Sequence, residues 1–255
     1  MSEVVLNVKK MTKVYNLHME KEFEALHDID FQVMDGDFIC IMGPSGSGKS
    51  TFINNISTID MPTKGLVYIH GIEVHTMSAN EIGKFRYRNL GFVFQDFNLL
   101  DSHTLYENIA MPLALAKTNK KDIQVRVHTV AKQMNIESLL NKHPYECSGG
   151  QKQRAAICRA LITQPKIIIA DEPTGNLDSQ NSQELINIFK ELNDKQKVTI
   201  IMVTHDALIA SYANRLVYIK DGIIKHTLDR GQMNQDEFFQ EIMQLNAQES
   251  RKLLK

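Results

Sequence analysis

Near the start of the chain, Gly43, Pro44, Ser45, Gly46, Ser47, Gly48, Lys49, Ser50 and Thr51 follow one another, small residues leading to a lysine and two hydroxyls. Glycines at this spacing leave backbone N–H groups bare, so several can converge on one anion. A helix beginning at the lysine adds its partial positive charge. The chemistry that needs such a cradle is phosphate binding. Lys49 is expected to reach the β- and γ-phosphates of a nucleotide, and the Ser50 hydroxyl to ligate Mg²⁺. A second cluster stands downstream in "IIIADEP", where Asp171 and Glu172 end an apolar run. Neighbouring carboxylates there can divide labour: Asp171 holds Mg²⁺, often through water, and Glu172 polarises an attacking water. Alone, an Asp-Glu pair before Pro173 is better read as a solvated turn. Four apolar residues ahead of it and the cradle in the same chain reverse that reading. The adjacent glutamate also argues for hydrolysis, because transfer to an acceptor hydroxyl requires water to be excluded.

These groups need elements to hold them. "FICIM" (Phe38 to Met42) reads as a buried strand entering the glycine loop, and "TFINNIS" continues as a helix. Gly43-x-x-x-x-Gly48-Lys49-Ser50 therefore has the strand–loop–helix setting of a P-loop, which separates it from a chance glycine turn. "DIDFQV" (Asp28 to Val33) alternates as a half-buried strand does; "LVYIHG" and "LGFVF" look like two more strands. From Asn98 to about Pro165 the apolar spacing turns helical and strand signals vanish. "KIIIA" and "VTIIMV" return to the buried-strand type. Between them Leu185, Ile188, Phe189 and Leu192 follow the i, i+3, i+4, i+7 rule of a helix. "NRLVYIKDGIIKHT" resembles a hairpin around Asp221-Gly222. A tail helix, "QDEFFQEIMQLNA", places Phe238 and Phe239 one turn before Ile242 and Met243. Strands alternating with helices argue for a largely parallel sheet, and ligands bind such sheets outside the carboxyl ends of the strands.

Gln95 and His205 end two of these strands and open onto the same edge as Asp171. Such residues are often hydrogen-bonded turn residues; at this edge Gln95 is placed to sense Mg²⁺ and water, and His205 to contact the γ-phosphate. Tyr15 lies upstream of the loop and reads either as a stacking platform for a base or as a core aromatic. A second phosphate-facing helix start follows at Ser148, Gly149, Gly150 and Gln151, with Ala156, Ala160 and Leu161 on its buried face. It sits in the helical insertion, too far from the first cradle to share its nucleotide. Two chains placed head to tail solve this, each closing the other's cradle.

Composition bounds the alternatives. With 255 residues, 43% hydrophobic and 23% charged, the chain is an ordinary folded α/β protein. A net charge of −1 does not favour nucleic acid as a direct partner. Cys40, Cys147 and Cys158 form no C-x-x-C pair, so reduced thiols in cytosol are expected rather than a disulfide framework or zinc site. The start "MSEVVLNVKKMTKVY" lacks the features of a signal peptide, and no apolar run approaches the ~18–20 residues of a spanning helix.

Over roughly residues 4 to 230 the chain resembles the ATP-binding cassette (ABC) ATPases. The motifs occur in that family's order: Tyr15, then "GPSGSGKST" as Walker A, Gln95 as the Q-loop and "SGGQ" as the signature. "IIIADE" as Walker B, "GNLD" with Asp178 as the D-loop, and His205 as the switch histidine complete the order. Cys147 departs from the pattern, standing where the family usually has leucine. The resemblance implies a P-loop NTPase core with a mainly parallel sheet, an N-terminal antiparallel β part and an inserted helical subdomain. It divides the chain into one domain over 1–230, with 1–96 and 166–230 as nucleotide-binding core and 97–165 as helical subdomain, and a helical tail over 231–255. It implies ATP and Mg²⁺, a head-to-tail homodimer around two ATP molecules with Asp178 reaching across, and Tyr15 as adenine platform. With no spanning segment, an integral membrane permease is the expected partner and would handle the cargo. Its contact surface is expected near Gln95 to Glu107, and the subunit at the inner face of the cell membrane. "GNLD" and "NLLDSHTLYENIAMPL" resemble the branch serving macrolide export, lipoprotein release and antimicrobial-peptide resistance; the tail "DEFFQEIMQL" leans to the bacitracin-type members. Rival expectations are a soluble ABC ATPase acting on nucleic acid, a P-loop phosphotransferase and a non-catalytic nucleotide-binding module.

Overall fold

The computed structural model describes residues 3–17 and 21–251. Its strands and helices begin with β1 (Val4–Tyr15), β2 (Phe23–Met34), β3 (Phe38–Met42), α1 (Lys49–Ile56), β4 (Lys64–Ile69) and β5 (Ile72–Glu73). Next come α2 (Ala79–Asn89), β6 (Leu90–Phe94), α3 (Leu105–Leu115), α4 (Lys120–Gln133), α5 (Gly149–Leu161) and β7 (Ile167–Asp171). The chain continues through α6 (Ser179–Gln196), β8 (Thr199–Val203), α7 (Ala207–Ala210), β9 (Arg215–Lys220), β10 (Ile223–Asp229) and α8 (Gln235–Arg251). It divides into two compact units, Met1–Met77 with Phe189–Lys255, and Ser78–Ile188.

In the first unit β1 pairs antiparallel with β2 and with β4. β2 alternates buried Leu26, Phe31 and Val33 with exposed Asp30 and Gln32, the pattern of a sheet with one wet face. β3 is buried at every position and lies parallel to both β8 and β9. Strands covered on both faces read as continuous apolar runs, which is why "FICIM" and "TIIMV" carry no alternation. β9 turns into antiparallel β10 through Asp221 and Gly222, at φ 49° and 71°. Two successive positive φ angles give the turn whose twist matches its strands. The tail helix α8 buries Phe238, Ile242 and Leu245, while Met243 is exposed. Its last turn carries a buried carboxylate, Glu249, 3.0 Å from Lys220 Nζ and 3.1 Å from His226 Nε2.

In the second unit β6 and β7 pair in parallel, with Phe94 opposite Asp171. Helices α3, α4 and α5 pack on one another through buried Leu105, Ile109, Leu113, Val127, Ala131, Ala155 and Ala156. Their starts are fixed by side chains: Thr104 and Glu107 form a capping box on α3, and Asn119 caps α4. The stretch from Asn98 to Pro165 is helical as its spacing predicts. Helix α2, ahead of β6, is additional to the elements the spacing picks out. Among the described residues no helix is long and apolar enough to cross a membrane.

Candidate active site

The cradle belongs to the first unit. β3 ends at Met42 and the chain enters the loop at Gly43, whose φ is 147°. A Cβ at Gly43 would sit 1.9 Å from the Ile219 carbonyl oxygen and 3.0 Å from Ser47 Oγ, so only glycine fits. Lys49 Nζ lies over the loop and donates to the carbonyls of Gly43 at 2.9 Å and Pro44 at 2.8 Å. The ammonium is thus held among the atoms that form the rim. Helix α1 begins after Gly48 with no side-chain cap. The N–H groups of its first turn have no partner within the helix, and Ser50 and Thr51 lie in that same turn.

His205 stands at the same edge. Ile41 of β3 is opposite Val203 of β8, and Thr204 N–H donates to the Ile41 carbonyl at 3.2 Å. The two strand ends therefore release Gly43 and His205 side by side, with His205 exposed. Tyr15 closes β1 half-buried, outside the core. Its hydroxyl donates to Asp60 at 3.3 Å, and Lys13 Nζ lies 5.1 Å from its ring centroid while pairing with Asp60 at 2.7 Å.

The carboxylates belong to the second unit. Asp171 ends β7 and Glu172 follows at φ 45°, a left-handed backbone that a residue with a side chain seldom adopts. Such strain survives where the surroundings hold it, and it clusters at functional sites. Here the Glu172 carbonyl accepts from Gly175 N–H at 3.0 Å. Gln95 follows the partner strand β6, at the same edge as Asp171. Its backbone carbonyl accepts from Asn176 Nδ2 at 3.1 Å, and that amide also donates to Asp96 at 3.0 Å.

The second helix start is built differently. Ser148 Oγ accepts from Gln151 N–H at 3.3 Å, and Gln151 Oε1 accepts from Ser148 N–H at 3.0 Å. Neither bond uses the N–H of Gly149 or Gly150. A Cβ on Gly150 would lie 2.3 Å from Asn181 Oδ1, so glycine admits the neighbouring segment. Asn181 in turn donates from its backbone to Asp178 at 2.8 Å and from its amide at 2.8 Å. These bonds hold the exposed Asp178 carboxyl below its ordinary range, the backbone N–H contributing most. Cys147, one residue earlier, is half-buried with Sγ 3.5 Å from the His143 carbonyl, and burial pushes its thiol up.

Residues that sequence reasoning passed over hold these parts in place. Gln153, fully buried in α5, donates to the Pro173 carbonyl at 2.7 Å and the Phe94 carbonyl at 3.5 Å. Arg159 donates to the carbonyls of Phe97, at 2.8 Å, and Asn98, both in left-handed backbone. A signal was available for Gln153: it lies three residues before Ala156 on the buried stripe, where an amide breaks the apolar pattern.

The matched family model is described as ABC transporter and covers residues 26–175. The chain belongs to the ABC transporter family. The ABC transporter ATP-binding protein YxdL of Bacillus subtilis is 45% identical over 239 residues, covering 94% of this chain and 92% of that protein. The bacitracin export ATP-binding protein BceA of Halalkalibacterium halodurans is 43% identical, with 94% of each chain covered. A dimeric structure of the ATP-binding cassette MJ0796 of Methanocaldococcus jannaschii, in a post-hydrolysis state bound to ADP and Pi, superposes with a TM-score of 0.81. That cassette is 38% identical, and 88% of this chain and 98% of that one are covered. This ABC transporter protein is therefore an ATP-binding P-loop subunit with the family's antiparallel part and largely parallel sheet. The fit to its nucleotide is chemical as well as familial. A cationic Lys49, an uncapped helix start and a Cβ-free Gly43 suit a polyphosphate, and hydroxyl and carboxylate oxygens are the donors a hard cation such as Mg²⁺ takes.

Proposed function

We propose that this subunit hydrolyses ATP in a head-to-tail homodimer and drives a separate integral membrane permease, in resistance to or efflux of antimicrobial peptides. Gly43 to Thr51 would bind the phosphates through backbone N–H groups, with Lys49 on the β- and γ-phosphates. Tyr15 would carry the adenine. Ser50, Gln95 and Asp171 would hold Mg²⁺, which when bound neutralises charge developing on the phosphates. Glu172 orients a water and takes its proton as the oxygen attacks the γ-phosphorus and the bond to ADP breaks. His205 contacts the γ-phosphate. Ser148, Gly149, Gly150 and Gln151 of one protomer close over the nucleotide held by its partner, and Asp178 reaches across the interface.

The observation that carries the hydrolytic reading is Glu172 in left-handed backbone directly after Asp171, at the edge where Gln95 emerges. Glu172→Gln is expected to keep ATP binding, cut turnover by about 10²–10⁴-fold and accumulate an ATP-bound dimer. Full phosphate release by that variant would remove Glu172 from its role.

The dimer reading is supported by the dimeric cassette of MJ0796. A permease partner is supported by the macrolide export ATP-binding/permease protein MacB of Syntrophobacter fumaroxidans, 41% identical, of which this chain spans 31%. Such a partner could use a groove of about 870 Å³ between α2 and α3, beside rather than within the Gln95–Glu107 stretch, with Lys84, Arg88, Met111 and a 79% exposed Leu115 among its walls. Phe94 and Asn98 line a cavity of about 350 Å³ that shares Tyr87, Pro112 and Arg159 with it. Peptide resistance rests on the relative named for bacitracin export. A deletion strain should become sensitive to bacitracin-like peptides while keeping its tolerance of macrolides; the reverse pattern would favour macrolide export.

A further inference from the structure

Helix α5 carries one fully buried polar side chain, Gln153, and that side chain touches the backbone on both sides of the carboxylate edge. Its amide nitrogen donates to the carbonyl of Pro173, the residue after Glu172, at 2.7 Å. It also lies 3.5 Å from the carbonyl of Phe94, the residue before Gln95. Its Oε1 is buried with no hydrogen-bond partner among the described residues. An apolar side chain of the same length would fill the space without that unmet acceptor, so packing alone does not account for the amide. The carbonyl it holds belongs to Pro173, the neighbour of a strained residue, Glu172 at φ 45°. Removing the donor would leave the Pro173 carbonyl buried and unpaired and free the Glu172 backbone to relax. Farther along α5, Arg159 grips the carbonyls of Phe97 and Asn98, so the segment following Gln95 is held from the same helix.

We propose that Gln153 is a positioning residue for hydrolysis: its amide fixes the strained backbone of Glu172 and the start of the Gln95 segment in register with α5. Because α5 begins at Ser148, the same helix joins one protomer's carboxylate edge to the helix start that faces its partner's nucleotide. The inference rests on the hydrolytic and dimer readings above. It predicts a fall in turnover without a fall in ATP binding.

The test uses the full chain with ATP and Mg²⁺. Gln153→Met removes the donor at nearly constant volume and is expected to lower kcat at least tenfold, with KM for ATP and ATP-dependent dimerisation unchanged. Gln153→Glu supplies a buried carboxyl whose protonated form again donates to Pro173. Burial facing carbonyl oxygens raises its pKa, so its kcat should recover as the pH is lowered from 8 toward 6, relative to wild type over the same range. A structural defect gives no such recovery. Wild-type kcat in Gln153→Met, or a Gln153→Glu profile parallel to wild type, overturns the proposal. Glu172→Gln, measured alongside, separates the two ideas: if it turns over normally the hydrolytic reading fails, whereas if it is dead while Gln153→Met is active only the role of Gln153 fails. If Gln153→Met does not fold, the pH profile of Gln153→Glu decides alone.

Discussion

Helices α1 and α5 both have glycine at or just before their first residue, yet they treat their first N–H groups in opposite ways. Gly48 offers α1 no capping side chain. Ser148 and Gln151 close α5 with reciprocal bonds of 3.3 and 3.0 Å. An uncapped start is unfavourable until an anion arrives, and Lys49 among the loop carbonyls is poised to share that anion. The capped start is stable by itself and keeps only the Gly149 and Gly150 N–H groups outside the box. The first terminus leaves its N–H groups to be met by an anion; the second meets its own N–H groups in part through its side chains. Their difference in capping therefore accords with a division between holding a nucleotide and completing its site from another chain.

The sharpest way to break the comparison is to spoil the first terminus. In Gly43→Ala the new Cβ would meet a backbone oxygen at 1.9 Å in a backbone conformation that alanine resists. A loss of about 2–5 kcal/mol of stability is expected from strain and overpacking together. Urea unfolding measures it, and ATP should no longer raise the midpoint. Unchanged ATP stabilisation in this variant would show that the loop does not grip phosphate.

Ser148→Arg attacks the second terminus. A long cation replaces the cap beside Gly149, whereas the cradle of the first unit is untouched. Nucleotide binding by the monomer, followed with a fluorescent ATP analogue, should be unchanged. Dimer formation on adding ATP, followed by light scattering, should be lost, and turnover with it. A normal ATP-induced dimer would dissolve the distinction between the two helix starts.

A milder pair of substitutions refines the point. Ser148→Ala and Ser78→Ala each remove a hydroxyl that accepts from the third residue of its helix. Each should cost about 1 kcal/mol of stability. Only Ser148→Ala should also reduce ATP turnover, since the Ser78 box caps α2 and has no assigned part in the reaction. Equal turnover in the two variants would reduce Ser148 to an ordinary cap.

Both termini are legible in the sequence, because glycine spacing, Lys49 and a serine able to cap are local signals; the return bond from Gln151 to Ser148 is seen only in the fold. Strands buried on both faces were readable for the same reason: "FICIM" and "TIIMV" are unbroken apolar runs. The contacts that hold the site were not. Asn176 reaches Gln95 across |i−j| of 81 residues, and Gln153 reaches Phe94 across 59. Pairings at such separation leave no periodicity in the chain. The left-handed turn at Glu172 is invisible for another reason, since a residue ahead of proline is ordinarily extended. The helix-wheel reading of the tail named both phenylalanines, but only packing decides that Phe238 is buried while its neighbour lies at the margin.

A third helix start extends the comparison and carries the smallest predicted effect. Helix α6 begins after Asp178, whose carboxylate accepts from Asn181 twice at 2.8 Å. Those bonds lower its pKa, so the stabilisation is present above the unfolded value of about 3.9 and is lost as the pH falls through the folded value. The carboxylate is exposed and screened by water, so only a minor shift in unfolding midpoint is expected. Wild type and Asp178→Asn should differ slightly at pH 7, and that difference should shrink as the pH falls below the ordinary carboxylate range and the carboxylate is protonated. Asn181 also lies against Gly150, so loosening Asp178 frees the residue that abuts the start of α5. Asp178→Asn should therefore lower turnover at pH 7 more than its stability loss alone accounts for. A variant with reduced stability and wild-type turnover would confine Asp178 to capping and leave α5 independent of it.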